Sequence, residues 1–326
     1  MRQAFRTILF VTLGVTLCGF TIQASAQSWP NKPAKLIVSQ AAGGTPDIVA
    51  RLLADRLSRA LGQQFLVDNR PGSGNIIGAQ AAARAPADGY TFFFATAAPL
   101  VSNPFTFKSL PYDPERDFTP VAMVGRIHFF ILVNPKVPAK TLAELIALDK
   151  AQPGKLAFAS DGPRNFSGML GEWLNKLAGT KMLLVPYAKM PEGIQDTVAG
   201  RTQVVILAVP SASPRMRSGD LRALAVSSAR RTPGYEDVPA VAETFPGFDF
   251  TGWFVIVVPT GTPGAVVQQL NREVDKVLKD PEVVQKLREF GMFTDGAETP
   301  EATAEYIRVQ RAAWGKLVKE IGLQPE

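Results

Sequence analysis

Short runs of Val, Ile and Phe alternate with helical patterns along most of the chain, and that alternation restricts the fold to α/β units built around mainly parallel sheets. "AKLIVSQ" (Ala34 to Gln40) reads as the first strand, and "FLVDN" and "YTFFFAT" as the next two, separated by the helical "NIIGAQAAARA". After Asn103 the chain becomes turn-rich in "NPFTFKSLPYDPERDFTPV", and "HFFILVNP" then resumes as a strand with no helical crossover between them. That pattern reads as passage into a second lobe. There "TLAELIALDKA", "NFSGMLGEWLNKLAG" and "PEGIQDTVAG" are helices, while "KLAFAS", "KMLLVPY" and "QVVILAV" are strands. "LRALAVSSARR" carries a strand into an Arg-rich loop, and "WFVIVVP" is a late strand followed by three helical segments. With the first and last thirds forming one lobe, residues 27–125 plus 228–326 make lobe 1 and residues 126–227 make lobe 2.

The first 26 residues stand apart. Arg2 and Arg6 precede an apolar run from Ile8 to Phe20, and Ala24, Ser25 and Ala26 follow as a small-residue cleavage site. This reads as a secretory signal peptide, its run being shorter than the roughly 20 residues a spanning helix needs. The single cysteine, Cys18, lies inside it behind Thr16 and Leu17, which does not suit lipid attachment. A mature chain from Gln27 has no cysteine, so disulfides and thiolate catalysis drop out together. Without Arg2 and Arg6 the 35 Lys and Arg fall to 33 against 29 Asp and Glu, a net charge of +4 with no long runs of one sign. No basic stripe for nucleic acid is visible. The expected location is outside the cytoplasmic membrane, and about 300 residues suit two domains of about 150.

In "SQAAGGTPDIVARLLADRLSRALG" (Ser39 to Gly62) Thr45 can cap a helix, Pro46 suits its first position, and Asp47 sits in the first turn where the macrodipole favours negative charge. Val49, Leu53, Leu57 and Leu61 then recur at four-residue spacing to face the sheet. Gly43 and Gly44 let a ligand approach backbone N–H groups at a positive helix end, which suits a carboxylate; a plain strand-to-helix turn needs glycine equally well. A phosphate loop is disfavoured because Thr45, Pro46 and Asp47 stand where a Lys-Ser/Thr pair belongs. "PGSGNIIG" (Pro71 to Gly78) mimics a dinucleotide fingerprint with Gly72, Gly74 and Gly78, but its last spacing is one residue too long. Catalytic sets fail a count: His128 is the one histidine, in an apolar strand where it reads as a core or hinge residue, and no G-x-S-x-G elbow occurs. Asp113 and Asp117 read as turn and cap residues, and Tyr306 and Trp314 as core packing.

The stretch "GGTPDIVARLLADRLSRALGQQFLVDNRPGSGNIIGAQAAARAPADGYTFFFAT" resembles the solute-binding proteins of tripartite tricarboxylate transporters, the Bug family. The likeness continues in order through "LPYDPERDFTPVAMV", "PAKTLAELIALDKAQPGKLAFAS", "LVPYAKM", "GDLRALAVSSARRTP", "DVPAVAE" and "WFVIVVPTGTP", covering essentially the whole mature chain. The resemblance implies a two-lobed periplasmic binding protein fold of the type with two crossovers, each lobe a mainly parallel sheet flanked by helices. It further implies a small carboxylate as ligand, the membrane subunits of such a transporter as partner, no cofactor, no metal and a monomer. Carried over by position, the lobe 1 contacts are Ala41, Ala42, Gly43, Gly44, Thr45, Asp47, Thr96 and Ala97. Those of lobe 2 are Ser160, Asp161, Gly162, Asn165, Phe166, Pro186, Tyr187 and Ala208. All fall at strand ends, where open α/β sheets hold ligands.

Departures from the family pattern direct the ligand reading. Prolines usual in the first loop are replaced in "QAAGG", and the apolar "LAVPSAS" replaces an acid that would partner a ligand ammonium. Arg164 and Lys189 suit a second carboxylate, or are solvated surface cations; Phe94, Phe166, Tyr187 and Ala208 suit a flat apolar middle. The expectation is a dicarboxylate, with terephthalate or phthalate ahead of short aliphatic acids. The other classes are a periplasmic sensor presenting the same bound ligand to a kinase, and, more remotely, a hydrolase using His128.

Overall fold

The computed structural model describes residues 29–160, 162–163, 166–187 and 190–325. The signal-peptide reading of residues 1–26 lies outside them. In chain order the elements begin with β1 (Ala34–Val38), α1 (Thr45–Leu61), β2 (Phe65–Asn69), α2 (Ile76–Ala83) and β3 (Thr91–Thr96). A π-helical turn, Ala98–Ser102, runs into α3 (Asn103–Thr106), followed by β4 (Phe118–Ile127) and β5 (Phe129–Val133). Then come α4 (Leu142–Ala151), β6 (Ala157–Ser160), α5 (Phe166–Ala178), β7 (Leu183–Pro186), α6 (Met190–Ala199), β8 (Val204–Ala208), α7 (Val209–Arg217) and β9 (Arg222–Val226). The last are β10 (Gly252–Pro259), α8 (Gly264–Lys279), α9 (Pro281–Glu289), β11 (Met292–Phe293) and α10 (Pro300–Ile321).

These strands form a six-stranded sheet, β11-β4-β10-β3-β1-β2, and a five-stranded sheet, β7-β6-β8-β5-β9, both within the unit Lys32–Glu326. Among the named strands parallel pairing is confined to β2-β1-β3 and β7-β6-β8. β10 and β5 run antiparallel to both their neighbours, and they are the strands next to the passages between sheets. The chain leaves the first sheet at Ile127, enters the second at Phe129 with His128 between, and returns after Val226.

β4 is missing from the sequence reading because prolines punctuate it. Pro120 sits inside a ten-residue strand, yet its partner Val257 is where the β4–β10 register shifts. A proline with no N–H to give is tolerated at such an irregularity. α7 is also unread: Ser and Pro dominate "VPSASPRMR", but Pro210 stands in the first turn, where a missing N–H costs nothing.

The core follows from the apolar runs. Phe92, Phe93 and Phe94 of β3 are all fully buried, as in a strand covered on both faces. Val49, Leu53 and Leu57 bring α1 onto the sheet with no exposed surface to speak of. A chain of rings then links the two sheets' helices. Phe129 stacks on Phe166 at the head of α5 (4.1 Å, 23°), Phe166 meets Phe250 (4.5 Å), and Phe250 meets both Trp173 of α5 (5.3 Å) and Trp314 of α10 (5.2 Å). Trp314 is thus core, as expected, and Tyr306 packs edge-on against Trp253. Among the described residues no helix is long and apolar enough to cross a membrane.

Candidate functional site

On the first sheet, Ala41 to Gly44 form an exposed loop between β1 and α1. The cap is shifted from the sequence reading by one residue: Gly44 occupies it in an extended conformation, with no side-chain hydrogen bond, and Thr45 is the first helical residue. Gly43 has φ +85°, a conformation that a side chain would strain. Asp47 reaches back from the first turn to accept the Gly43 N–H (2.8 Å), and also accepts Asn69 Nδ2 (3.0 Å) and Arg51 Nε (3.1 Å). Burial alone would push its carboxyl up, but Arg51, the Gly43 amide and Asn69 outweigh it and hold the group below the usual carboxylate range. Asp47 is therefore an ionised, 3% exposed clamp on the loop, its charge answered from within. The amides of Ala41, Ala42, Gly44 and Thr45 find no acceptor among the described residues, as at any helix start left open.

α2 packs against the same loop at Gly78, where a Cβ would stand 2.7 Å from Ser39 Cα. Thr96 and Ala97, half-buried, end β3 and open the π-helical turn. Phe94 lies beneath them, fully buried with its ring 5.1 Å from Phe254, so it belongs to the sheet core and not to an open crevice. Two residues the sequence reading passed over join this rim. Gln40 Nε2 donates to Asn75 Oδ1 (3.0 Å) and Thr96 Oγ1 (3.4 Å), tying the ends of β1 and β3 to the start of α2. A long polar side chain two residues past an apolar strand is the available signal.

On the second sheet, Ser160 ends β6 fully buried, its hydroxyl accepting the Gly162 N–H (3.0 Å). Tyr187 donates its N–H to Ser160 O (2.8 Å) and its hydroxyl to Asp196 (2.8 Å). Pro186 is the register partner of Ser160, and Ala208 that of Phe129 while also capping α7. Phe166 begins α5 with its ring against Phe129 and Phe250. Asp161, Arg164, Asn165 and Lys189 lie outside the described residues.

Each sheet thus gathers its own group, and register relates both to the passages. Thr96 pairs with Phe254, two residues along β10 from Gly252, which pairs with Ile127; Ala208 pairs with Phe129. His128, between them, is buried: Nδ1 lies 2.9 Å from the Thr232 hydroxyl and the ring stacks 4.7 Å from Phe293. Nearby Arg126 pairs with Glu298 (2.9 Å) and lies over the Tyr306 ring.

Comparison with known proteins agrees with this layout. The family described as "Tripartite tricarboxylate transporter family receptor" matches residues 49–323. Protein BugT of Bordetella pertussis is 33% identical over 319 residues, 97% of this chain and 98% of its own. The structure of an R. palustris protein with adipate has a TM-score of 0.77 at 33% identity, covering 91% of this chain and 100% of that one. MatC from Rhodopseudomonas palustris with bound malate has a TM-score of 0.71 at 28% identity, covering 89% and 100%. Two α/β sheets joined through two passages, with polar loops at their strand ends, are the build of a solute-binding receptor. The chain belongs to the tripartite tricarboxylate transporter receptor family, the Bug proteins among them, a family of periplasmic binding proteins and not of enzymes.

Proposed function

We propose that this receptor captures a small dicarboxylate between two lobes and delivers it to the membrane subunits of a tripartite tricarboxylate transporter. Residues 27–125 with 228–326 form one lobe and residues 126–227 the other, closing about the two passages. The carrying observation is the exposed Ala41–Gly44 loop, whose amides and helix end favour an anion while the Asp47 carboxylate is paired with Arg51 and hydrogen-bonded by Asn69. One carboxylate lies on the N–H groups of Ala41, Ala42, Gly44 and Thr45 beside Thr96 and Ala97. The far end meets the loop from Ser160 to Phe166, Tyr187 and Ala208, with Arg164 and Lys189 supplying charge. Asp47 holds the loop and not the ligand.

Adipate and malate on relatives support an aliphatic diacid. Packing argues the same way against a ring such as terephthalate or phthalate. Phe94 is covered, Phe166 has Phe129 and Phe250 on it, and the Tyr187 hydroxyl is held by Asp196. The test is a thermal-shift panel of mono-, di- and tricarboxylates, including adipate, malate and terephthalate. A ligand at about 100 times its Kd stabilises by about 2.7 kcal/mol, which is about 4 °C for a chain of this size. Shifts confined to diacids support the two-ended site; equal affinity for a diacid and its matched monoacid, or no shift with any acid, overturns it. Loss of diacid uptake on deleting either the receptor or the membrane subunits tests delivery, and uptake that survives both deletions refutes it.

A further inference from the structure

Gln40 is the last residue before the exposed loop, and its side-chain amide is shared by two neighbouring elements. Nε2 donates to Asn75 Oδ1 at 3.0 Å and to Thr96 Oγ1 at 3.4 Å. Its backbone carbonyl accepts from Asn69 Nδ2 at 3.1 Å, which fixes the main chain at this point. Asn75 caps α2 from a left-handed conformation, φ 74°, which holds its side chain towards β1. Gln40 Oε1 is buried and has no hydrogen-bond partner among the described residues.

An orphaned buried carbonyl is costly, and a Leu or Met would fill the same volume without it, so packing does not explain a glutamine here. What the amide does is direct its neighbours. A carboxamide has a donor end and an acceptor end. With Nε2 turned towards Asn75 and Thr96, both of their oxygens are engaged as acceptors. Asn75 Nδ2 and the Thr96 hydroxyl hydrogen are left to donate elsewhere. Were the amides of Gln40 and Asn75 reversed, Thr96 would donate to Gln40, and Asn75 would turn its oxygen outward. The paired amides of Gln40 and Asn75 therefore decide together whether this rim offers donors or acceptors.

We propose that Gln40 is a positioning residue that holds Asn75 and Thr96 in the donor state, selecting a carboxylate at the first rim over an ammonium or amide end. This rests on the reading that the ligand lies at this rim. Gln40 does not touch the ligand; it sets the polarity of two groups that do. The donors it orients add to the open amides of Ala41, Ala42, Gly44 and Thr45, so the rim presents side-chain and backbone N–H and O–H groups of one sense.

The experiment is calorimetric titration of adipate into the full mature protein carrying Gln40→Met or Gln40→Glu. Each is made alone and in an Asn75→Ala, Thr96→Val background, with a thermal melt of every variant. Gln40→Met is expected to weaken adipate about tenfold, the scale of a hydrogen bond to a charged group. In the double-variant background the same change is expected to cost less than about twofold, because the groups it acts through are gone. Gln40→Glu, nearly the same shape, is expected to bind more weakly than Gln40→Met above its own pKa, since its carboxylate takes up both donors. It carries the test if the Met variant fails to fold. An equal loss in both backgrounds, or wild-type affinity in Gln40→Met, overturns the inference while leaving the receptor reading intact. A wild-type protein that binds no carboxylate overturns both together.

Discussion

With only one histidine in the chain, acidification between about pH 7 and about pH 5 probes a single buried side chain selectively. His128 is 9% exposed between the two sheets, bonded to Thr232 and stacked on Phe293. Burial first, and then the charge of Arg126, lowers its pKa from 6.5 to about 4. The unfolded chain takes up this proton below 6.5 and the folded chain refuses it until about 4. The unfolded state therefore binds more protons in that window, and stability falls as pH drops through it. At about 1.4 kcal/mol per unit the loss is about 3 kcal/mol over the whole window and about 2 kcal/mol by pH 5. For a chain of this size that lowers Tm by about 3 °C. Asp249 and Glu172, both raised by burial, contribute with the opposite sign. The measurement is accordingly a difference between wild type and His128→Asn, melted at the same series of pH values. The wild type should lose about 3 °C more than the variant, and the imidazole proton resonances should report a neutral ring down to about pH 5. Parallel pH profiles for the two proteins would refute the burial argument.

Asp47→Ala removes the acceptor for Gly43, Asn69 and Arg51, and is expected to cost about 3 kcal/mol and about 5 °C in Tm, with weaker adipate binding; an unchanged Tm would show that the carboxylate does not clamp the loop. Gly78→Ala places a methyl 2.7 Å from Ser39 Cα and should destabilise by about 1–3 kcal/mol. A melt indistinguishable from wild type would mean that α2 yields freely. Ligand binding should alter tryptophan emission through the Phe166–Phe250 contact to Trp173 and Trp314, and the change should vanish in a Trp173→Phe, Trp314→Phe protein. Persistence of the signal there would assign it to another tryptophan.

The alternation of apolar runs and helical patterns was enough to mark β1, β2, β3 and β5 to β10, because each is flanked by Gly, Pro or Asn punctuation. It missed β4, since Pro120 argues against a strand unless the partner's register slip is known, and that slip belongs to β10, more than a hundred residues later. It missed α7 for a related reason: Ala212 and Val209 are buried by tertiary contacts that "VPSASPRMR" does not advertise. At the site, the glycine loop and strand-end residues were legible as positions. Their roles were not, because Asp47 is committed to Arg51 and Asn69 across two elements, and Phe94 is covered by Phe254 from a distant strand. Gln40 escaped notice because its partners, Asn75 and Thr96, are joined only by the sheet.

β10 lies inside the six-stranded sheet, between β3 and β4, although it follows every strand of the five-stranded sheet in sequence. A growing or refolding chain can therefore finish the second sheet from one continuous stretch, Phe129 to Val226, while the first still has a slot in its middle. That slot is bordered by the unpaired edges of β3 and β4, and it is filled by insertion rather than by adding a strand at the rim. Pairing at such sequence separation is slow, and open strand edges are sticky while it is pending. A chain halted before Gly252 would thus expose two adhesive edges at once, and those edges are where a holding chaperone has most to cover.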